Sequence, residues 1–246
     1  MSAWLDPVRD VLDDVDDSWT RAVFFRDDDV GWDDRALLAL LEVFVRRDVP
    51  VDLAVIPVAT HPHVASSLLR LRRDAAIGLH QHGYAHVDHE TQGRKCEFGS
   101  SRTPDQLAAD VSAGARLLGE LFGEHLDPIF TPPWNRCRPE LGDVLADAGF
   151  EVLSRDSTAT PLERPRLAEL PVTVDWFGTS KRTKLPFDRA DRGRAIAGSL
   201  GSGRPVGIML HHAVCGDGDR ADVDELLSVF ASSRAVTCRT MRDVAA

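Results

Sequence analysis

Apolar residues along the chain fall into two alternating kinds of run. Short, mostly apolar runs at 22–25, 51–55, 76–79, 129–130, 152–153, 170–174 and 206–210 have the length and β-rich content of buried strands. Between them the apolar positions recur at helical spacing. In 33–47 the stripe is Leu37, Leu38, Leu41, Phe44 and Val45, and helices are likewise expected over 64–73, 103–122, 139–148, 188–200 and 222–231. Thr103 suits an N-cap with Pro104 at N1, and Gly149 suits a C′ position. Residues 235–238 read as a last strand. Ahead of the repeat, Leu5, Val8, Leu12 and Val15 share one helical face. Short apolar strands separated by helices predict parallel βα units, and no linker or low-complexity segment divides them. The expected organisation is an α/β single domain: an N-terminal helical extension over 1–20, then a barrel or open-sheet domain over 21–246.

Polar clusters follow these strands. Asp27–Asp29, the histidines between 80 and 89, the string 131–136 and the pair His211–His212 each come directly after an apolar run. In a βα barrel or an open α/β sheet those positions share the carboxyl edge of the strands, so residues distant in sequence converge on one mouth.

Composition narrows the partners. With 39 acidic and 29 basic residues the formal net charge is −10. That balance argues against nucleic acid and against an anionic membrane surface. No apolar run approaches the roughly 20 residues of a membrane span. The start of the chain has neither a basic nor an apolar region of signal-peptide type, which predicts a cytoplasmic protein. The four cysteines are scattered and form no zinc spacing. The nine histidines are different, because four lie between His80 and His89 and two are adjacent at His211 and His212.

Each cluster suggests chemistry. Three consecutive aspartates repel one another unless a cation compensates them. Asp33 and Asp34 are better placed to cap the following helix, which frees Asp27, Asp28 and Asp29 for another role. His82 and His86 are four apart, a spacing that puts two imidazoles on one side of a helical turn, while His80 and His82 form an HxH pair on an extended chain. Two histidines and one carboxylate make three protein ligands and leave a position open for water, the catalytic arrangement of zinc or a similar first-row ion. Strand alternation sends His211 and His212 to opposite sides, so one of them faces the mouth, where a histidine beside a metal is suited to act as general acid. In Thr131-Pro132-Pro133-Trp134-Asn135-Arg136, Trp134 could wall a sugar ring or an acyl group, and its backbone N–H could face an oxyanion; a plain turn around a buried tryptophan is the alternative. Asp175 and Trp176 also follow a strand and could line the same cleft.

Taken in order, RDDDVG, HGYAH, TPPWNR and MLHH resemble the motifs of the polysaccharide deacetylase family (NodB homology, carbohydrate esterase 4) over about residues 23 to 212. The resemblance implies a distorted (β/α)7-type barrel and metal-dependent hydrolysis of an amide or ester. It implies Asp28 as catalytic base; Asp29, His82 and His86 as metal ligands; Trp134, with Pro133, as the wall and oxyanion contact; and His211 as general acid, with His212 the alternative. Asp27, Arg26, His80, His89 and Arg136 are expected in supporting or substrate-contacting roles. The implied cofactor is a divalent metal, Zn²⁺ first, with Co²⁺, Ni²⁺ or Mn²⁺ as alternatives. The implied substrate is a small molecule or oligosaccharide bearing an N-acyl, above all an acetyl, group. The chain also departs from the family. Thr131 stands where the family has arginine, which leaves Arg26 or Arg136 to orient the base. Gly83 stands where the family has Ser or Thr, and Val30 separates the aspartates from Gly31. Two other readings remain: an amidohydrolase-type barrel built on the His80-x-His82 pair, and a metal-containing barrel that binds carbohydrate without turnover.

Overall fold

A computed structural model describes residues 2–14, 19–180 and 183–246. Its strands are β1 (Arg21–Val30), β2 (Val51–Val55), β3 (Ile77–His82), β4 (Ile129–Thr131), β5 (Val152–Leu153), β6 (Ala168–Glu169), β7 (Val174–Asp175), β8 (Val206–His211) and β9 (Val236–Cys238). The helices are α1 (Asp6–Asp13), α2 (Asp34–Arg47), α3 (Pro62–Leu71), α4 (Pro104–Phe122), α5 (Leu141–Asp147), α6 (Arg189–Leu200), α7 (Asp217–Ser232) and α8 (Met241–Ala245). All strand pairs are parallel, in the order β6-β5-β4-β3-β2-β1-β8-β7, with β9 beside the start of β1.

The sheet curls into a distorted (β/α)7 barrel through one extended stretch. β6 pairs with β5, and Leu170 N and Val172 N still donate to Leu153 O and Arg155 O. Thr173 N then donates to Gly207 O, and β7 pairs with β8. Residues 168–175 thus pass from one edge of the sheet to the other and act as a single stave, which makes seven with β1–β5 and β8. The single strand expected at 170–174 lies inside this stretch.

The predicted strands and helices form, with shifted ends. β1 and β3 run on into their polar clusters, because backbone pairing with neighbours does not stop where apolarity stops. Asp27–Asp29 and His80–His82 are therefore strand residues. The last long helix begins at Asp217 rather than 222. Asp217 and Asp219 favour its positive N-terminus, and Gly216 N donates to Asp219 Oδ2 at 3.2 Å. Helix α8 has too little apolar periodicity to be predicted. Of the expected N-terminal helix, Val15 lies outside the described residues; Trp4, Leu5, Val8 and Leu12 join the main core. Thr103 and Gln106 form the expected capping box on α4, and Asp33 caps α2.

Period-two alternation sorts the side chains of the central strands. On β1, Val23 and Phe25 face the helical layer, whereas Phe24 belongs to a smaller cluster with Ile129, Val152, Leu170, Met209 and Met241 inside the barrel. On β8, Ile208 and Leu210 face the helices and Met209 faces inward. The same parity, continued to the strand ends, positions the polar residues.

Candidate metal centre and active site

Arg26 and Asp28 continue the inward set of β1. The Arg26 guanidinium grips Asp28 with two bonds, Nε to Oδ1 at 2.8 Å and Nη2 to Oδ2 at 2.9 Å. It also donates to Ser154 Oγ at 2.8 Å and to Asn135 Oδ1 at 2.7 Å. Arg26 is fully buried, so each bond replaces lost hydration. Burial works to raise the Asp28 carboxyl, but Arg26, His82 and His211 outweigh it and hold it below the usual carboxylate range.

Alternation would turn Asp29 away from Asp28. The register of β1 against β2 slips here, because Asp27 faces Leu53 while Val30, three residues on, faces Val55, two residues on. The extra residue is a bulge, and Asp29 takes the left-handed conformation with φ 71°. Both carboxylates consequently reach the same pocket. Asp29 Oδ1 lies 3.2 Å from His82 Nε2 and 3.1 Å from His86 Nε2. Its Oδ2 lies 3.9 Å from His211 Nε2.

His82 ends β3, and its Nδ1 lies 3.0 Å from the carbonyl of Thr131. A carbonyl only accepts, so Nδ1 donates to it, and Nε2 is the nitrogen turned toward the carboxylate. His86 does not follow on a helical turn, as its spacing from His82 suggests. It sits in a loop with φ 56°. The buried Glu97 shapes that loop by accepting from Tyr84 N at 3.1 Å and Ala85 N at 2.7 Å. Gly83 is required between them: its φ is +57°, and a Cβ there would lie 2.2 Å from Glu97 Oε2 and 2.5 Å from Pro133 Cδ. Burial opposes ionisation of Asp29, yet the bonds from His82 and His86 hold its carboxyl far below the ordinary value.

The pocket has a volume of about 420 Å³ and includes Asp28, Asp29, His82, His86, Trp134 and His211 in its lining. Trp32 and Trp134 hold His86 edge-on from two sides, at ring separations of 4.7 and 4.5 Å. Trp134 and Asn135 are left-handed, at φ 56° and 57°, so this turn is bent into the mouth. Of the two adjacent histidines, His211 faces the pocket. His212 is wholly buried on the other side, with Nδ1 2.6 Å from Asp27 Oδ2 and Nε2 2.6 Å from Trp32 O. Burial alone would depress it, but Asp27 raises it to about 9, so it is a buried imidazolium. Asp175 lies near His211; burial raises its carboxyl against the pull of that histidine.

The remaining expected residues separate from this group. His80 is buried in the barrel wall, with Nε2 2.9 Å from Thr131 Oγ1; burial and then the Arg26 charge lower it to about 3. Pro133 is buried against Gly83 rather than lining the pocket. His89 is not in the pocket lining, and its backbone N donates to Cys96 O. Arg136 donates to Lys95 O and leaves Asp28 to Arg26. Trp32 adjoins RDDDVG but has no signal of its own in the sequence. Lys95 and Glu97 fall in a loop, 94–102, that the sequence places near the mouth, where it could meet substrate charges but reads by default as a solvated loop. Asn135 lies within TPPWNR without an expected role.

The donors fit a divalent cation. One atom each from Asp29, His82 and His86 come within 4.8 Å of one another. Their separations of 3.1–3.2 Å to Asp29 Oδ1 are close to the about 3.4 Å between neighbouring donors of a tetrahedral ion at about 2.1 Å.

No family model matches the sequence, and no curated protein matches it. Solved structures do match. A candidate polysaccharide deacetylase from Mycobacterium smegmatis superposes with a TM-score of 0.71 at 19% identity, over 92% of this chain and 89% of that one. A family 4 acetyl xylan esterase from Clostridium thermocellum, in complex with a cobalt ion, gives 0.58 at 15% identity, over 91% and 90%. A CE4 family pseudoenzyme from Bacillus anthracis gives 0.58 at 13% identity, over 92% of this chain and 66% of that one. At these identities the likeness is one of fold, and fold does not by itself carry activity. This chain has the distorted barrel fold of the carbohydrate esterase 4 deacetylases and esterases.

Proposed function

We propose that the protein is a metal-dependent hydrolase that removes an acyl group, acetyl in the first instance, from an N-acylated, carbohydrate-like substrate. One observation carries this reading: a carboxylate and two imidazoles spaced to hold a metal, a clamped carboxylate and an accessible histidine face one pocket. Asp29, His82 and His86 would hold the ion, with Zn²⁺ preferred and Co²⁺, Ni²⁺ or Mn²⁺ as alternatives; the cobalt ion of the acetyl xylan esterase supports a first-row metal. When bound, such an ion polarises the acyl carbonyl and acidifies water.

The protein's own groups supply the proton transfers. Asp28 is oriented by Arg26, and each of its oxygens keeps a lone pair free, so it suits the general base that takes a proton from the attacking water. As water oxygen bonds to the acyl carbon, charge moves to the carbonyl oxygen. The backbone N–H of Trp134, at the strained turn, would donate to it. His211 then protonates the leaving nitrogen, the C–N bond breaks, and a carboxylic acid and an amine separate. His212 is unsuited to that role, because both its nitrogens are engaged away from the pocket. Arg26 supplies the orienting guanidinium that Thr131 lacks, and Glu97 holds the loop where the family has Ser or Thr at the position of Gly83. The HxH alternative loses support because His80 is occupied in the wall with Thr131.

Metal analysis with parallel activity assays tests the reading. About one divalent ion per chain is expected, lost in Asp29→Ala and His82→Ala together with all acetate release from N-acetylated sugars. Turnover that persists in a metal-free preparation would sink it. Metal binding without turnover on any acylated substrate would leave the binding barrel instead.

A further inference from the structure

A second cavity, of about 520 Å³, adjoins the pocket and shares Asn135 with it. Its lining includes Arg94, Arg136 and Arg155, and Lys95 lies on the pocket side of the same boundary. Neighbouring arginines are neutralised. Arg102 pairs with Asp110, Arg138 with Glu140 and Arg155 with Glu169, each within 2.8 Å. Among the described residues, Arg94, Lys95 and Arg136 form no ion pair within 4.0 Å. Arg136 is partly buried, and its side chain donates one hydrogen bond, to the Lys95 carbonyl. Burial and the adjacent charge of Arg94 both work against its own charge. Deeper in the wall, the buried Nε of Arg155 has no acceptor. Asp156 is the one carboxylate of the lining, and it accepts from Thr158 N within its own turn.

Arg94 and Lys95 are exposed to water, but the partly buried Arg136 stands beside them at a concave wall without an ion pair, an arrangement that an anion bound there would stabilise. In a chain with net charge −10, carboxylates to pair them were available in quantity. We propose that this cavity receives a carboxylate or phosphate group of the substrate, so that the N-acyl compound hydrolysed at the neighbouring centre is an anionic one, such as an acylated sugar acid or sugar phosphate. The inference rests on the hydrolase reading and adds the substrate class. Arg94 and Arg136 would hold the oxyanion through charge-assisted bonds, Asn135 would lie between the two cavities, and Lys95 would screen the approach.

The test uses the metal-loaded protein and three probes: N-acetylglucosamine, its 6-phosphate and N-acetylmuramic acid, followed by acetate release. At least one charged probe is expected to exceed the neutral sugar by tenfold or more in kcat/KM, and the two charged probes distinguish phosphate from carboxylate. The preference should fall toward unity in Arg94→Ala/Arg136→Gln, with metal content and the melting curve confirming that the variant is folded. A wild-type protein that hydrolyses the neutral sugar as well as both charged ones overturns the anion site and leaves the hydrolase standing. If none is hydrolysed, the hydrolase reading fails for these substrates and calorimetric titration of the two charged probes decides the cavity. Binding that the double variant loses supports the anion site, and absence of binding overturns it.

Discussion

At the mouth of the barrel, Asp27, Asp28 and Asp29 each pair with a cation or an imidazole, whereas at the floor Asp52 forms no ion pair among the described residues and Arg72 acts on it only weakly. Both ends bury carboxylates. Asp28 is clamped by Arg26, Asp29 is met by His82 and His86, and Asp27 is paired with His212. Asp52, fully buried near the start of β2, accepts a bond from Met241 N, and its Oδ1 has no partner. Burial first, and then Asp127 and Asp243, push its carboxyl well above the ordinary value. Desolvation acts alike at both ends, and the facing charge decides the outcome. At the mouth the result is ionised groups around an open pocket, as chemistry requires. At the floor the result is a carboxyl whose ionisation is disfavoured, bonded to the first residue of α8. Within the mouth the aspartates differ again: Asp28 and Asp29 face space, while Asp27 and His212 satisfy each other in a closed contact.

The largest expected effect breaks the mouth chemically. Asp28→Asn should retain the metal and lower kcat by about 10²–10⁴-fold, measured as acetate release at fixed metal content. Full activity in this variant would remove Asp28 as base.

The next breaks the closed contact. His212→Gln leaves Asp27 buried without its cation and should cost about 3–5 kcal/mol in urea unfolding. The histidine is raised in the folded protein, so its stabilising contribution is complete below its unfolded value of about 6.5 and fades as pH climbs through about 9. That decline should be missing from the variant.

A smaller effect sharpens the role of the loop clamp. Glu97→Gln keeps the shape but weakens two bonds to the loop that carries His86, and metal affinity should fall about tenfold in competition with a chelator. Unchanged affinity would mean that Trp32 and Trp134 suffice to place the ring.

The smallest concerns the floor and has the opposite sign. Asp52→Asn should raise the melting temperature. The folded carboxyl is raised, so the wild-type protein gives up stability as pH rises above the unfolded value of about 3.9. The gap between variant and wild type should therefore close near pH 4 and widen toward neutrality. A uniform offset at all pH values would point to packing instead.

Much of the barrel is legible in the chain. Short, mostly apolar runs with helical intervals mark parallel βα units, and 170–174 reads as one strand because Leu170, Val172 and Val174 recur at every second position. The ends are less legible. β1 and β3 continue through Asp27–Asp29 and His80–His82 because neighbouring strands keep pairing with the backbone regardless of side chain. His82 and His86 stand out by spacing. The mechanism that brings them together does not, since a loop bridged by a carboxylate eleven residues beyond His86 leaves no periodic trace.

By itself, the sequence determined the parallel βα order, the strand-end placement of the polar clusters and the parity that parts His211 from His212. These follow from local propensity and from period-two alternation. Only the tertiary structure decided that a bulge turns Asp29 back beside Asp28, that Arg26 rather than Arg136 clamps Asp28, that His212 is sealed against Asp27, and that Arg94 and Arg136 stand without an ion pair beside the pocket. Each of those outcomes depends on register between strands or on which charge faces which across a closed barrel, and neither is encoded within any one stretch of chain.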